Sequence, residues 1–319
     1  MTRLEGLVGA ETRPAFKPKA SNMVKPLRTI ETRDGSSVVL NDPVPVRRPW
    51  RRVSTIAVVL IALMIVNSAA TNANFRWDVV GLYLFDPQIL RGVTWTLLLT
   101  VLAMMVAIGM AMTLVFMRES GNPLLQGLSW LWVWFFRGTP VYTQLVFWGL
   151  ISVLYPRLGI ALPFGQDILS VRTADVLTPG VAAILGLGLN ESAYLAEIFR
   201  AGFRSVEKGQ QEAAESIGMR RMALLRRIIL PQAMRVIIPP TGNETIGMLK
   251  TTSLVLAVPF AYDLTFVANT VSNRLYLPIP LLVVAAFWYL AITSVLMIGQ
   301  HFLERHFGRG IDVLAIKEW

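Results

Sequence analysis

GVTWTLLLTVLAMMVAIGMAMTLVFM, residues 92–117, runs from Arg91 to Arg118 without a charged side chain. Charge-free runs of about twenty residues or more can cross a bilayer core of roughly 30 Å. Three more lie between Arg52 and Arg76, Arg137 and Arg157, and Arg274 and Glu304. Of the 319 residues, 54% are hydrophobic and 16% charged, against roughly 45–50% and 25% in an average soluble protein. The chain is read as a multi-spanning, all-α membrane protein, which excludes a fibrous protein, a disordered chain and a soluble enzyme. With no cysteine and only two histidines, His301 and His306, a disulfide framework, a thiolate or His-rich metal site and a catalytic thiol are not expected.

Working outward, residues 1–52 are polar, basic and interrupted by Pro14, Pro18, Pro26, Pro43, Pro45 and Pro49. No helical or strand period persists, and the segment is expected to be a mostly disordered arm. Trp50, Arg51 and Arg52 then form an interfacial anchor. The apolar run that follows is longer than the 7–15 residues of a secretory signal and lies behind a leader of about fifty residues. An uncleaved extra N-terminal span within 53–75 is expected instead. Further spans are predicted at about 90–117, 139–155, 177–199, 233–259 and 280–303, giving six transmembrane helices. The apolar stretch 123–136, with Trp130, Trp132 and Trp134, is too short to cross and is expected to be an interfacial elbow.

The net charge of +10 invites a nucleic-acid reading, but the positions of the charges oppose it. Of the thirty basic residues, 24 fall in the arm, the elbow, the loop after the fourth span with its flanks, and the tail, five fall between spans on the other side, and Lys250 lies inside a span. The positive-inside rule therefore puts both termini in the cytoplasm.

The loop is RAGFRSVEKGQQEAAESIGMRRMALLRRIILP, residues 200–231. It predicts a short helix, a turn permitted by Gly218, and a second, basic helix stopped by Pro231. From the residues alone it suits either docking into a groove or lying on the membrane surface. Glu212-Ala213-Ala214, then Gly218, Ile228 and Leu230-Pro231 follow the spacing of the EAA loop, and the chain resembles the permease subunits of bacterial ABC importers. FRGTPVYTQLVF (136–147), LNESAYLAEIFRAG (189–202) and LPQAMRVIIPPTGNETIGMLKTTSL (230–254) extend the resemblance to the polar amino-acid branch.

The resemblance implies a five-helix type I importer core over residues 90–309, with the arm and extra span outside it and a short tail, 310–319. It implies that Glu212, Ala213, Ala214 and Gly218 couple the chain to separate ATPase subunits, which bind ATP and Mg. It also implies a second permease copy or homologue, an extracytoplasmic amino-acid-binding protein and a bacterial inner-membrane location. The chain's own nearest approach to a phosphate loop, Gly242 to Gly247, is followed by Met248 and lies inside a span. A Walker loop needs Gly-Lys-Ser/Thr there, so no ATP, metal or other cofactor is expected on this chain and no catalytic residue is assigned.

A charged residue inside a span costs about 2.5–3.5 kcal/mol on translocon scales and is a functional candidate. Glu191 stands nine residues before Arg200 and Glu244 nine after Arg235, so regular helices put both roughly 13 Å inside the boundary. Two carboxyl groups at one level either face a shared polar cavity or have one of them protonated. For an amino-acid substrate, Glu191 or Glu244 would receive the ammonium and Lys250, Thr251 or Ser253 the carboxylate. Asn190, Tyr194 and Asn243 would add neutral hydrogen bonds. Equally, these groups bond across helices and hold the bundle together. Glu197 is expected to pair with Arg200, and Pro239-Pro240 to bend or break the fifth span.

The expected function is alternating-access import of amino acids, polar L-amino acids above all, by a transport subunit that is not an enzyme. An ATP-independent secondary transporter using the intramembrane carboxylates is the alternative. Such folds often show inverted repeats, and no pair of comparable halves is found here.

Overall fold

The computed structural model describes residues 28–31, 37–40, 49–161 and 167–307. The chain divides into two compact units, Met1–Ser68 and Ala69–Trp319.

In the first unit β1 (Arg28–Glu31) pairs antiparallel with β2 (Ser37–Leu40), Arg28 opposite Leu40. No element was expected here. The local signal is Asp34-Gly35 between two β-prone runs, a hairpin-type pair. The remainder of the arm, and the tail from residue 308 on, lie outside the described residues. Helix α1 (Pro49–Thr71) follows, and Val53–Thr71 is apolar enough to span a membrane.

The second unit opens with α2 (Trp77–Tyr83) and the long α3 (Pro87–Arg118), whose start is set by the Asp86 carboxylate accepting from the Gln88 N–H at 2.8 Å. The elbow is α4 (Pro123–Gly138). Its Ser129 hydroxyl donates to the Leu114 carbonyl of α3 at 2.9 Å, and Trp132 and Phe136 turn inward while Trp130 and Trp134 stay exposed. That division makes α4 amphipathic, the pattern an interfacial helix requires.

The third predicted span is interrupted. It consists of α5 (Val141–Gly149) and α6 (Ile151–Leu154), after which β3 (Arg157–Ala161) and β4 (Asp167–Arg172) form a second antiparallel hairpin, ending at α7 (Thr173–Val176). Next come α8 (Pro179–Arg204), α9 (Lys208–Ser216) and α10 (Arg221–Leu224). Helix α11 is Leu230–Thr251, α12 is Leu264–Leu275 and α13 is Pro278–Phe307.

Helix α8 lies at the centre, between α3, α5 and α11. Two glycines permit this. A Cβ on Gly188 would stand 2.9 Å from the Ala103 carbonyl oxygen of α3, and one on Gly186 would stand 2.8 Å from Leu145 Cδ2 of α5. Small residues at such contacts let helix backbones approach where lipid supplies no hydrophobic drive. The main core joins Leu99, Ala103 and Ala107 to Leu187, Leu195 and Phe199, and smaller clusters tie α2, α12 and α13 to the start of α3.

One proline expectation fails. Pro231 does not stop the helix. Residues 225–229 form a wide π turn, in which the Leu230 N–H reaches back five residues to Leu225, and α11 continues for 22 residues. A π turn absorbs the missing donor and the ring of a following proline. Pro239 and Pro240 lie inside a continuous helix, so no break occurs there; α11 is packed between α8 and α13, and Gln300 of α13 donates to the Pro239 carbonyl at 2.7 Å. Among the described residues four helices pass on length and hydropathy as spans: Val53–Thr71, Pro87–Arg118, Pro179–Arg204 and Pro278–Phe307. The polar α11 and the broken α5–α6 do not.

Candidate functional site

Helices α8 and α11 pack together and bring the carboxyl groups of Glu191 and Glu244 within range of each other. Glu191 is 9% exposed, and its Oε1 is buried with no hydrogen-bond partner among the described residues. An unpaired buried carboxyl oxygen is costly, so this point can accept a cation or donor. Glu244 is half-buried one helix away. Counting depth from the basic residues at each helix end anticipates this meeting.

The other candidates divide. On α11, Asn243 and Lys250 are exposed, seven residues apart and so on one stripe of the helix. The Thr251 hydroxyl donates to Gly247 O at 3.0 Å and that of Ser253 to Lys250 O at 2.7 Å, which leaves their oxygens free to accept. Asn190 points elsewhere. Pro140 has no N–H to close onto the Phe136 carbonyl four residues back. The Asn190 amide donates to that carbonyl at 2.9 Å and to Gln144 Oε1 at 3.2 Å, while the Gln144 amide donates to the same carbonyl at 3.2 Å. Asn190 thus secures the α4–α5 break. Tyr194, one turn on, carries the Arg137 guanidinium 5.2 Å over its ring, and Glu197 is paired with Arg200.

At one end of α8 the polar loop folds as a capped helix. In α9, Ala214 is buried while Glu212 and Ala213 are exposed. The Met219 N–H donates to Ala214 O at 3.1 Å, and the Gly218 N–H to Glu215 O at 2.9 Å, with Gly218 at φ +76°. These two bonds are a Schellman cap, which needs a left-handed residue at the glycine position. Beyond the cap, Ile217 and Met222 are 78% and 73% exposed. Arg204 holds Glu119 at the end of α3 with a 2.8 Å contact.

Two features were missed by sequence reasoning. Gln144 stabilises the α4–α5 break, and Asp263 caps α12: its Oδ1 accepts from the Thr96 hydroxyl at 2.6 Å and its Oδ2 from the Thr265 N–H at 2.8 Å. An Asp before an apolar residue is an N-cap signal and could have revealed α12.

A helical bundle with a polar contact between two central helices, and with a folded polar loop at its end, has the build of a membrane transport subunit. Residues 115–309 match the family described as "Binding-protein-dependent transport system inner membrane component". The arginine transport system permease protein ArgU of Corynebacterium glutamicum is 46% identical over 279 residues, which is 86% of this chain and 87% of the relative. The L-cystine transport system permease protein TcyB of Bacillus subtilis is 33% identical over 73% of this chain and 92% of its own length. A solved chain described as "Crystal structure of an amino acid ABC transporter with histidines" is 31% identical, covers 70% of this chain and 95% of its own, and has a TM-score of 0.56. The chain belongs to the binding-protein-dependent transport system inner membrane component family, as an ABC importer permease subunit that is not itself catalytic.

Proposed function

We propose that this permease imports amino acids, and that it recognises cationic ones at Glu191 and Glu244. The carrying observation is the buried, unpartnered oxygen of Glu191 set against Glu244. Two carboxyl groups at one level suit the two cationic groups of an arginine-like substrate, and a relative named for arginine supports that class. Lys250, about 9 Å further along α11 at helical rise, offers its ammonium to the substrate carboxylate. Asn243 stands beside Glu244, on the same stripe of α11 as Lys250. Thr251 and Ser253 accept rather than donate in this arrangement, while Asn190 is bonded to the α4–α5 break and Tyr194 lies beneath Arg137.

Energy comes from partner ATPase subunits, which hold ATP and Mg and receive α9 in a cleft. Glu212, Ala213 and the exposed Ile217 and Met222 form the docking face, while Ala214 and Gly218 set its shape. An apolar edge on an otherwise polar loop supports this reading. The remaining partners are a second permease, identical or homologous, and an extracytoplasmic binding protein. The basic-residue distribution supports a bacterial inner-membrane protein with both termini in the cytoplasm, a basic arm at 1–52, an extra span within 53–75 and the core at 90–309. Helix α11 and the broken α5–α6 complete six crossings.

The test is uptake of labelled arginine and of a neutral amino acid by the complete system with Glu191→Gln and Glu244→Gln variants. Both substitutions are expected to weaken arginine uptake more than neutral uptake. Wild-type arginine affinity in both would overturn the assignment.

A further inference from the structure

Where α3, α4 and α8 end near one another, three guanidinium groups surround a single carboxylate. A cleft of about 520 Å³ is lined by Arg118, Arg137, Trp130, Trp134 and Glu197. A smaller space beside it is lined by Arg118, Ser129, Glu197 and Arg200. Glu197 is already engaged by Arg200, whose Nε is nevertheless buried without a partner. Arg137 lies over Tyr194, and neither it nor Arg118 meets a carboxylate among the described residues. The cluster therefore keeps two uncompensated positive charges.

The surroundings indicate what neutralises them. Arg118 terminates the charge-free run of α3, so its guanidinium stands where the hydrocarbon core gives way to headgroups. Trp130 and Trp134 are exposed on the outer face of α4 and stack at 6.2 Å, 14° between planes. Indoles of this kind settle at the membrane interface. A soluble anion uses the arginines but has no need of an apolar, aromatic wall opening beside a span.

We propose that this cleft binds the headgroup phosphate of an anionic phospholipid, with Arg118 and Arg137 on the phosphate oxygens and the Trp130–Trp134 stack against the glycerol and upper acyl chain. Arginine binds phosphate through paired N–H donors, and the excess of two charges selects an anionic lipid over a zwitterionic one. The lipid joins the ends of α3, α4 and α8, the last of which leads directly into the α9 loop. The proposal is independent of the substrate assignment.

The test is native mass spectrometry of the full chain after delipidation and titration with phosphatidylglycerol or phosphatidylcholine, with inorganic phosphate as a separate arm. Wild type is expected to retain phosphatidylglycerol preferentially. Arg118→Gln/Arg137→Gln should weaken that retention about tenfold or more, as loss of charge-assisted hydrogen bonds predicts. Arg305→Gln, an exposed charge on α13, should leave it unchanged. If the double variant aggregates, Arg137→Gln alone carries the test, since that side chain is exposed. Unchanged phosphatidylglycerol retention in the Gln variants, or equal retention of both lipids by wild type, overturns the proposal. So does displacement of phosphatidylglycerol by inorganic phosphate at comparable concentration, which assigns the cleft to a soluble anion.

Discussion

Gly188→Ala should destabilise the bundle although alanine is the better helix former. The added Cβ would lie 2.9 Å from the Ala103 carbonyl oxygen and 2.9 Å from Val106 Cβ. Ordinary carbon contacts sit at about 3.5–4.0 Å, so α3 and α8 must separate by a substantial part of an ångström. One obstacle is main chain on a fully buried residue and cannot rotate aside. Overpacking of this kind costs about 1–3 kcal/mol, against about 0.5–1 kcal/mol that alanine gains over glycine within a helix. Gly109 supplies the control, because nothing lies within 4 Å of its would-be Cβ. The propensity gain is common to both substitutions. The difference between Gly188→Ala and Gly109→Ala should therefore report the clash alone, about 1–3 kcal/mol, or several degrees in midpoint. Unfolding of the detergent-solubilised chain in mixed SDS micelles measures it. Equal stability of the two variants would refute the claim that Gly188 sets the α3–α8 distance.

Asp263→Ala removes an N-cap and a buried partner of Thr96, and should cost about 2–4 kcal/mol in the same unfolding assay. Asp263→Asn should cost less, because one of the two accepting oxygens remains. Gly218→Ala must hold a non-glycine residue at φ +76°, a strain of about 1–2 kcal/mol; it is expected to lower co-purification of the ATPase subunit while α3 and α8 keep their stability. Asn190→Ala leaves the Phe136 carbonyl to Gln144 alone and should cost about 1–2 kcal/mol, with the loss confined by hydrogen exchange to α4 and α5. Glu119→Gln breaks a half-exposed ion pair with Arg204, worth less than about 1 kcal/mol after solvent screening, and its midpoint should scarcely move.

The long elements were readable because their causes are local. Charge-free length marks α1, α3 and α13, the Trp-bearing stretch between Arg118 and Arg137 marks α4, and helical rise alone set Glu191 level with Glu244. What escaped was decided by partners far along the chain. Helix α12 is short and carries Asn269, Asn273 and Arg274; it is held by a cap that bonds Thr96, 167 residues away. Asn190 looked equally suited to substrate or scaffold until the carbonyl exposed by Pro140 came into range, 54 residues upstream. The prolines misled for a related reason. Their cost is intrinsic, but whether a helix breaks depends on its packing, and α11 is held between α8 and α13.

Under the proposed function, the arrangement of α8, α9 and α11 gives the coupling loop a mechanical route to the carboxylates. Thirteen residues of uninterrupted α8 separate Glu191 from Arg204, and fourteen of α11 separate Leu230 from Glu244, so each carboxylate sits about 20 Å from the loop along a continuous helix. The loop joins the two rods through different fittings. On the α8 side only residues 205–207 precede α9, whereas the α11 side carries the Gly218 cap and then the π turn at 225–229, a wider turn of the type that recurs at functional positions. A force on α9 reaches Glu191 through the α8 junction and Glu244 through the π turn, so unequal yielding at the two fittings changes the spacing of the carboxylates. Release of a bound cation then follows from geometry, because a substrate held by two carboxylates loses one when their separation no longer matches its own.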